Sequence, residues 1–365
     1  MISELHRNRG ALSRLCQICI GLALLMPLRL TARPTYRASE FGAKADGRSL
    51  DTAPLQRALD AAASAGGGDV VLGPGVYLTG SLFVKSHTHL FVSAGATILG
   101  TTERSAYPLI HTRAAGIEMQ WPAALINVRE QVDVSIEGAG TIDGNGKPWW
   151  DLFWSRVPAY EARHLRWAVD YDVHRPELIQ VYKSDDVRIG RGLLLKRSAF
   201  WTVHICYSSN IVVDGLTIRD NDATQGRGPS TDGVDVDSSK HVRVQNVDIA
   251  NNDDGICLKA GMNADGLRVN RSQRMWPSAI ALFGREYRVS RSVATRRAVL
   301  KISEFPESPF LAECATGCIS NRHIRVEVGR KAWKSARSPC AESRSESWST
   351  STTFRHLARR KSRKE

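Results

Sequence analysis

The sequence predicts an all-β solenoid, a parallel β-helix built from single strands stacked coil on coil with a short helix closing its N-terminal end. Three observations lead there. Apolar and polar residues alternate in short runs, so one face of each strand is buried. The runs recur every two to three dozen residues, with three strand pieces to a unit, which is the mark of a repeat architecture. Gly, Asn, Asp and Ser divide the runs, and hairpin turns of the Asn-Gly kind, expected of the rival β-sandwich, are few.

The repeat occupies residues 41–271. One unit runs through Leu82, Val84, Leu90, Val92, Thr97 and Ile98, and the next through Leu125, Val132, Val134, Ile136 and Ile142. Ile179 and Val181 precede Val187 and Ile189 in the unit after that. Two later units superpose at length: Val203, Ile211, Leu216 and Ile218 match Val234, Val242, Val247 and Ile249, each 31 residues on. Inward positions therefore include Val203, Ile205, Val234, Val236, Ile256 and Leu258. Asn145-Gly146, Asp185-Asp186, Asn210, Asn246 and Asn251 fall where coil corners belong. A helical stretch over residues 55–63 is placed to cap the open end, since an uncapped solenoid exposes its core.

The 365 residues carry a formal charge of +13, which would suit a polyanion partner, but its location removes that reading. Residues 272–365 hold 20 Lys/Arg against 8 Glu and no Asp, leaving the first 271 residues near neutral. Nucleic acid is not an expected partner. Residues 1–32 read as a secretory signal: Arg7, Arg9 and Arg14 precede an apolar stretch over residues 15–28, and Ala32 offers a small residue for cleavage. That stretch is short and interrupted for a membrane span, so a secreted or periplasmic location without a membrane anchor is expected. The seven cysteines are scattered. Cys314 and Cys318 with His323 lack a convincing fourth zinc ligand, and no metal or cofactor is expected.

The motifs between the strands resemble glycosyl hydrolases family 28, the polygalacturonases and their relatives. Phe41-Gly42-Ala43-Lys44-Ala45-Asp46-Gly47 is similar to the family's opening strand and turn, and Gly66-Gly67-Gly68-Asp69-Val70-Val71 to the passage after its capping helix. Gly140-Thr141-Ile142-Asp143-Gly144, Trp149-Trp150 and Phe200-Trp201-Thr202-Val203-His204 continue the match. The most specific pieces are Ser230-Thr231-Asp232-Gly233 and Asn252-Asp253-Asp254-Gly255. The resemblance implies a right-handed parallel β-helix, an acidic plant cell-wall polysaccharide as substrate, and a monomer.

The residues bear this chemistry on their own account. Inverting hydrolysis needs one carboxylic acid to protonate the leaving oxygen and a carboxylate to activate water, about 6.5–9.5 Å apart. Asp232 and Asp253 are 21 residues apart, close to one small coil, and coils are spaced about 4.8 Å. Three carboxylates in one groove repel one another and keep an acid protonated. By the family's roles Asp253 is the general acid, with Asp232 and Asp254 positioning and activating water. Taken singly, Asp-Asp and Thr-Asp-Gly are also common turn residues. Trp201 and His204 are candidates to line the groove, and Lys259 to meet a uronate carboxylate.

The pattern stops after residue 271. The family's Gly-His-Gly segment and its Arg-x-Lys pair have no counterpart: no His occurs between His241 and His323, and residues 272–365 hold three Gly. Residues 323–328 form a candidate strand without neighbours in register, and the charge run near the end reads as disordered. A shifted reading frame near residue 272 is the expectation that accounts for an abrupt loss of Gly, Asp and period; a natural basic extension is the alternative. The leading function is a hydrolase of pectic polysaccharide. The others are a catalytically impaired or carbohydrate-binding remnant and a calcium-dependent lyase, against which the placing of Asp232 argues.

Overall fold

The computed structural model describes residues 32–165, 168–221 and 226–270, with three short strands farther on at 280–283, 287–290 and 297–298. Each coil contributes one strand to each of three parallel sheets. The first sheet runs from Thr35–Arg37 through Val132–Gly138 and Ser209–Asp214 to Ile280–Phe283. The second runs from Asp46–Leu50 through Thr141–Asp143 to Tyr287–Ser290 and is edged by Arg297–Ala298. The third holds Leu82–Val84, Ile126–Arg129, Ile179–Tyr182, Val203–Cys206, Val234–Asp237 and Ile256–Lys259. The fold is the right-handed parallel β-helix expected from the sequence.

Register stacks like on like. Val70, Leu90, Ile136, Ile189, Val213 and Val244 form one buried column in the first sheet. In the third sheet Val84, Val128, Val181, Ile205 and Val236 form another, which continues to Leu258. Of the six inward positions named above, the four valines and isoleucines at 203, 205, 234 and 236 are fully buried. Ile256 and Leu258 pack on the same core but are half-buried, being on the last described strand of their sheet.

Helix α1, Thr52–Ser64, closes the N-terminal end. Leu55, Ala58, Leu59 and Ala62 lie on one helical face and are buried over the sheet ends. Gln56 covers the exposed edge of the third sheet: its amide nitrogen donates to the Phe83 carbonyl at 3.0 Å and its amide oxygen accepts from the Phe83 N–H at 2.9 Å. The side chain thereby substitutes for a missing strand.

Corners between sheets are made by residues in the left-handed region. Glu130, Lys183, Tyr207 and Ser238 occupy one corner on successive coils; Asp186 and Asn210 occupy the next, and Asn246 a third. Asn145 also has positive φ, but Gly146 after it begins helix α2, Lys147–Glu161, which the repeat pattern did not foresee. α2, α3 (Ala168–Val173) and an antiparallel hairpin, Leu109–Ala114 with Ile117–Pro122, are insertions in the turn from the second sheet to the third. Helix α4, Asn263–Val269, follows the last strand of the third sheet. Among the described residues no helix is long and apolar enough to cross a membrane. The leader, residues 323–328 and the three cysteines at 314, 318 and 340 lie outside the described residues.

Ile211 is fully buried between Val187 and Val242 in the middle of the stack. Ile211→Ala should lower stability by about 2–4 kcal/mol, read as a lower urea midpoint, because neighbouring coils cannot collapse into the space.

Candidate active site

The turn from the second sheet to the third also carries Asp232, Asp253 and Asp254. Backbone bonds fix their register: the Gly233 N–H donates to the Asp254 carbonyl at 2.9 Å and the Val234 N–H to the Gly255 carbonyl at 3.0 Å. Asp232 therefore stacks on Asp254, one position away from the spacing of 21 noted in the sequence. Gly233 allows the close approach, since a Cβ there would lie 2.4 Å from the Gly255 oxygen. Asn251, fully buried, donates through its amide to the Thr231 carbonyl at 2.9 Å and the Asp254 carbonyl at 2.6 Å, tying the two turns together.

Carboxylate oxygens of Asp232 and Asp254 and the Cys257 sulfur lie within 4.8 Å of one another. The Cys257 thiol donates to Asp254 Oδ2 at 3.3 Å. Asp253 accepts the Asp254 N–H on Oδ1 at 3.1 Å, and its charge raises the Asp232 pKa. The three predicted carboxylates thus share one turn, two side by side and one flanking.

Lys259 organises the charge. Its ammonium lies 2.9 Å from Asp232 Oδ2, 3.1 Å from Asp235 Oδ1, and 4.3 Å from the centre of the Trp201 ring. Burial and the neighbouring negative charges of Asp235 and Asp253 hold Asp232 well above the usual carboxylate range, with Lys259 opposing. Burial pushes Asp235 up to about 6, again against Lys259. Two buried carboxyls share one ammonium, so the pair retains a proton at mildly acidic pH.

The expectation that Trp201 and His204 line an open groove does not hold. Trp201 is 4% exposed, stacked on Phe200 and covered by Lys259 and His204. His204 has no exposed surface: Nδ1 meets Glu177 at 2.9 Å and Nε2 lies 3.6 Å from Asp237. Burial would pull its pKa down, but Glu177 and Asp237 outweigh that and raise it, so His204 is an imidazolium between two carboxylates. The hairpin explains the burial. It lies over the outward face of the third sheet, and its Arg113 pairs with Asp237 at 2.9 Å and Ser238 at 2.8 Å. Lys259, likewise, is engaged by aspartates rather than free to meet a substrate carboxylate.

Glu177, Asp235, Asp237, Arg113 and Arg175 escaped the sequence reading. The Val234-Asp235-Val236-Asp237 strand carries the only local signal, since alternation sends both aspartates to a face that the reading left to solvent. Arg175 is buried between the rings of Phe153 and Phe200, pairs with Asp170 at 2.7 Å, and donates to the Ala199 and Pro229 carbonyls. Burial pulls its pKa down to about 10, with Asp170, Asp232 and Asp253 opposing. Among the described residues two groups have metal-like spacing, Asp232 with Asp254 and Cys257, and His204 with Cys206 and Asp237. Each already contains a protein cation, Lys259 in one and His204 beside Arg113 in the other, so a divalent ion would meet a positive charge at either place.

Stacked coils with an acidic cluster at one recurrent turn define a parallel β-helix protein whose site is built from loops between the second and third sheets. Residues 109–272 match the model of glycosyl hydrolases family 28. It is 32% identical over 237 residues to a probable polygalacturonase of Vitis vinifera, covering 62% of this chain and 45% of that one. It is 26% identical over 275 residues to an exo-poly-alpha-D-galacturonosidase of Dickeya chrysanthemi, covering 65% and 44%. The chain thus spans under half the length of these two relatives. Among solved structures it resembles the fold of a Thermotoga maritima exopolygalacturonase (24% identity, TM-score 0.57, 69% of this chain and 60% of that one). The family 28 exopolygalacturonase of Yersinia enterocolitica is similar to the same degree (23%, TM-score 0.57, 69% and 48%).

Asp220 holds the loop that presents Trp201, accepting from the Ser198 N–H at 2.7 Å and the Thr202 hydroxyl at 2.6 Å. Burial pushes its pKa up to about 7. A carboxyl raised above its unfolded value of about 3.9 stabilises the fold fully below that value and loses the contribution as pH rises through the folded one. The melting temperature should therefore fall between about pH 4 and pH 7. Asp220→Asn should flatten that fall by on the order of 1–3 kcal/mol, measured by thermal unfolding across the range.

Proposed function

We propose that the chain hydrolyses the glycosidic bonds of a polygalacturonan-type pectic polysaccharide by inversion at the anomeric carbon. The observation that carries this reading is the Asp232–Asp254 pair, whose oxygens lie within 4.8 Å. One water can donate to both at about 2.8 Å each, which orients its lone pair outward. Asp253, flanking the pair, serves as the general acid: it protonates the glycosidic oxygen as the bond breaks, while the paired carboxylates take a proton from the attacking water. Lys259 opposes, without reversing, the burial and neighbouring carboxylates that hold Asp232 above the usual carboxylate range. Trp201 and His204 support the reaction from beneath, Trp201 by facing the Lys259 ammonium and His204 by fixing Glu177 and Asp237. The galacturonan-acting relatives support the substrate class.

Asp253→Asn should lower release of reducing ends from polygalacturonate by about 10²–10⁴-fold while the circular dichroism spectrum is unchanged. NMR of the first product should show the inverted anomer; retention would overturn the mechanism.

A second reading, a carbohydrate-binding or catalytically impaired remnant, is favoured by the sequence from residue 272 onward, which holds neither the family's histidine segment nor its Arg-x-Lys pair. A chain translated through the corrected frame near residue 272 decides between them. If it turns over polygalacturonate and the chain as given does not, the remnant reading stands for this chain; equal rates make the present tail functional.

A further inference from the structure

Arg175 stands where the helical insertions meet the turn that carries the acidic cluster. It follows α3, and its side chain is fully buried between Phe153 of α2 and Phe200, whose ring centres lie 4.6 and 4.7 Å from the guanidinium carbon. Nη1 donates to the Ala199 carbonyl at 2.9 Å and also to the Pro229 carbonyl, and Nη2 donates to Asp170 Oδ1 at 2.7 Å. Its backbone is held as well, since the Trp121 indole N–H donates to the Arg175 carbonyl at 3.0 Å. Enclosed on every side, Arg175 cannot touch a substrate.

Its bonds reach the segment that leads into Asp232. Pro229 lies three residues before that aspartate, and Ser230, in the left-handed region, donates its hydroxyl to the same Asp170 oxygen at 2.7 Å. The ion pair therefore grips two consecutive residues, one through its cation and one through its anion. Ala199 belongs to the neighbouring turn, where the Thr202 N–H donates to the Asp232 carbonyl at 2.8 Å. A planar fork that holds two turns and a counter-ion at once fixes their relative placing as a compact ammonium does not. Its charge is near as well as enclosed: Asp232 and Asp253 both act on the guanidinium, and Coulomb attraction is mutual.

We propose that Arg175, with Asp170 as its counter-ion, is a positioning residue for the hydrolysis read from the aspartates: it fixes the turn that presents Asp232 and supplies a permanent positive charge beneath the carboxylates; the inference rests on the hydrolase reading. The effect on the carboxyls has one sign. A fixed cation favours their ionised form, so Arg175 draws Asp232 and Asp253 toward lower pKa, against the burial that raises Asp232. The other charges facing the turn are Asp235 and Lys259 from the third sheet and Asp254 beside Asp232. Removing Arg175 leaves all three in place. Loss of the cation raises Asp232 and Asp253 together, which moves both limbs of a bell-shaped rate profile to higher pH.

The test titrates the aspartate carboxyl carbons of the full chain by NMR, with the Asp232 and Asp253 signals assigned from Asp232→Asn and Asp253→Asn. In Arg175→Met, which keeps an apolar stem between the two rings, both midpoints should rise by about 0.5–1 pH unit, the scale of one partly screened charge. Arg175→Lys keeps the charge without the fork, and its midpoints should stay in place. On polygalacturonate, kcat should fall about 10–100-fold in Arg175→Met with KM little changed, and the pH profile should move up with the midpoints. Arg175→Lys should lower kcat and leave the profile where it was. If Arg175→Met does not fold, Arg175→Met combined with Asp170→Asn leaves no buried charge unpaired and should show a smaller rise. Midpoints that stay within about 0.2 pH unit in the folded variants overturn the proposal and leave the hydrolase reading untouched. Midpoints that rise, in a protein whose unsubstituted chain releases no reducing ends at any pH, sink the hydrolase reading and with it the part of Arg175 in a reaction.

Discussion

The hydrogen bond from the Gly233 amide to the Asp254 carbonyl, 2.9 Å long, is the constraint on which the site depends. A parallel ladder admits no half steps: shifting the register by one residue would turn every side chain of the strand to the opposite face. With Val234 opposite Ile256, the residues just before each strand, Asp232 and Asp254, must lie one coil above the other. The coil spacing of about 4.8 Å then sets the separation of their carboxylates without any special loop. The buried columns of valine, isoleucine and leucine are what hold that register, so the apolar core of the solenoid and the geometry of its acidic turn are one piece of structure.

Placing carboxylates on an outward face would normally leave them in water. Here the hairpin at 109–122 covers that face and converts it into a buried polar layer, with Arg113, His204 and Lys259 set among Glu177, Asp232, Asp235 and Asp237. Such a layer is weak evidence for stability, because desolvation of each ion offsets its attraction to the next. Its effect is on proton affinity. Asp232 and Asp235 hold their protons more tightly than free carboxyls do, and Lys259 decides how the pair divides the remaining charge. The chemistry at the turn is thus tuned by a segment more than a hundred residues away in sequence.

This division also separates what was legible in the sequence from what was not. The alternation of Val203 with Ile205 and of Val234 with Val236 is local, and it predicted burial, sheet and coil. Asn210 and Asn246 announced corners because left-handed backbone favours asparagine. Asp232, Asp253 and Asp254 were singled out because their motifs are contiguous. The fate of Trp201 and His204 was not legible, since burial on the outward face depends on a hairpin whose own residues show no repeat. Arg175 and Glu177 gave no signal for the same reason: an insertion folds by tertiary contacts, outside the period that makes the coils readable.

The hairpin does a second thing, which follows from where the coil bearing Asp253 and Asp254 lies. Among the described residues, Ile256–Lys259 is the last strand of the third sheet, and its apolar residues are only half covered. In a solenoid each coil leans on its neighbours, and among the described residues the strand after Asp253 and Asp254 has a neighbouring strand on one side only. The missing support comes from outside the repeat. The Met262 N–H donates to the Gly116 carbonyl at 3.0 Å, the Glu118 N–H to Asp265 at 3.0 Å, and Arg268 pairs with Glu118 at 2.8 Å. Arg113, on the same hairpin, passes so close to Gly261 that a Cβ there would lie 1.9 Å from the guanidinium. The segment that buries the acidic layer is therefore also the clamp on the coil that presents it, and loosening the clamp would disturb the electrostatics and the position of Asp254 together.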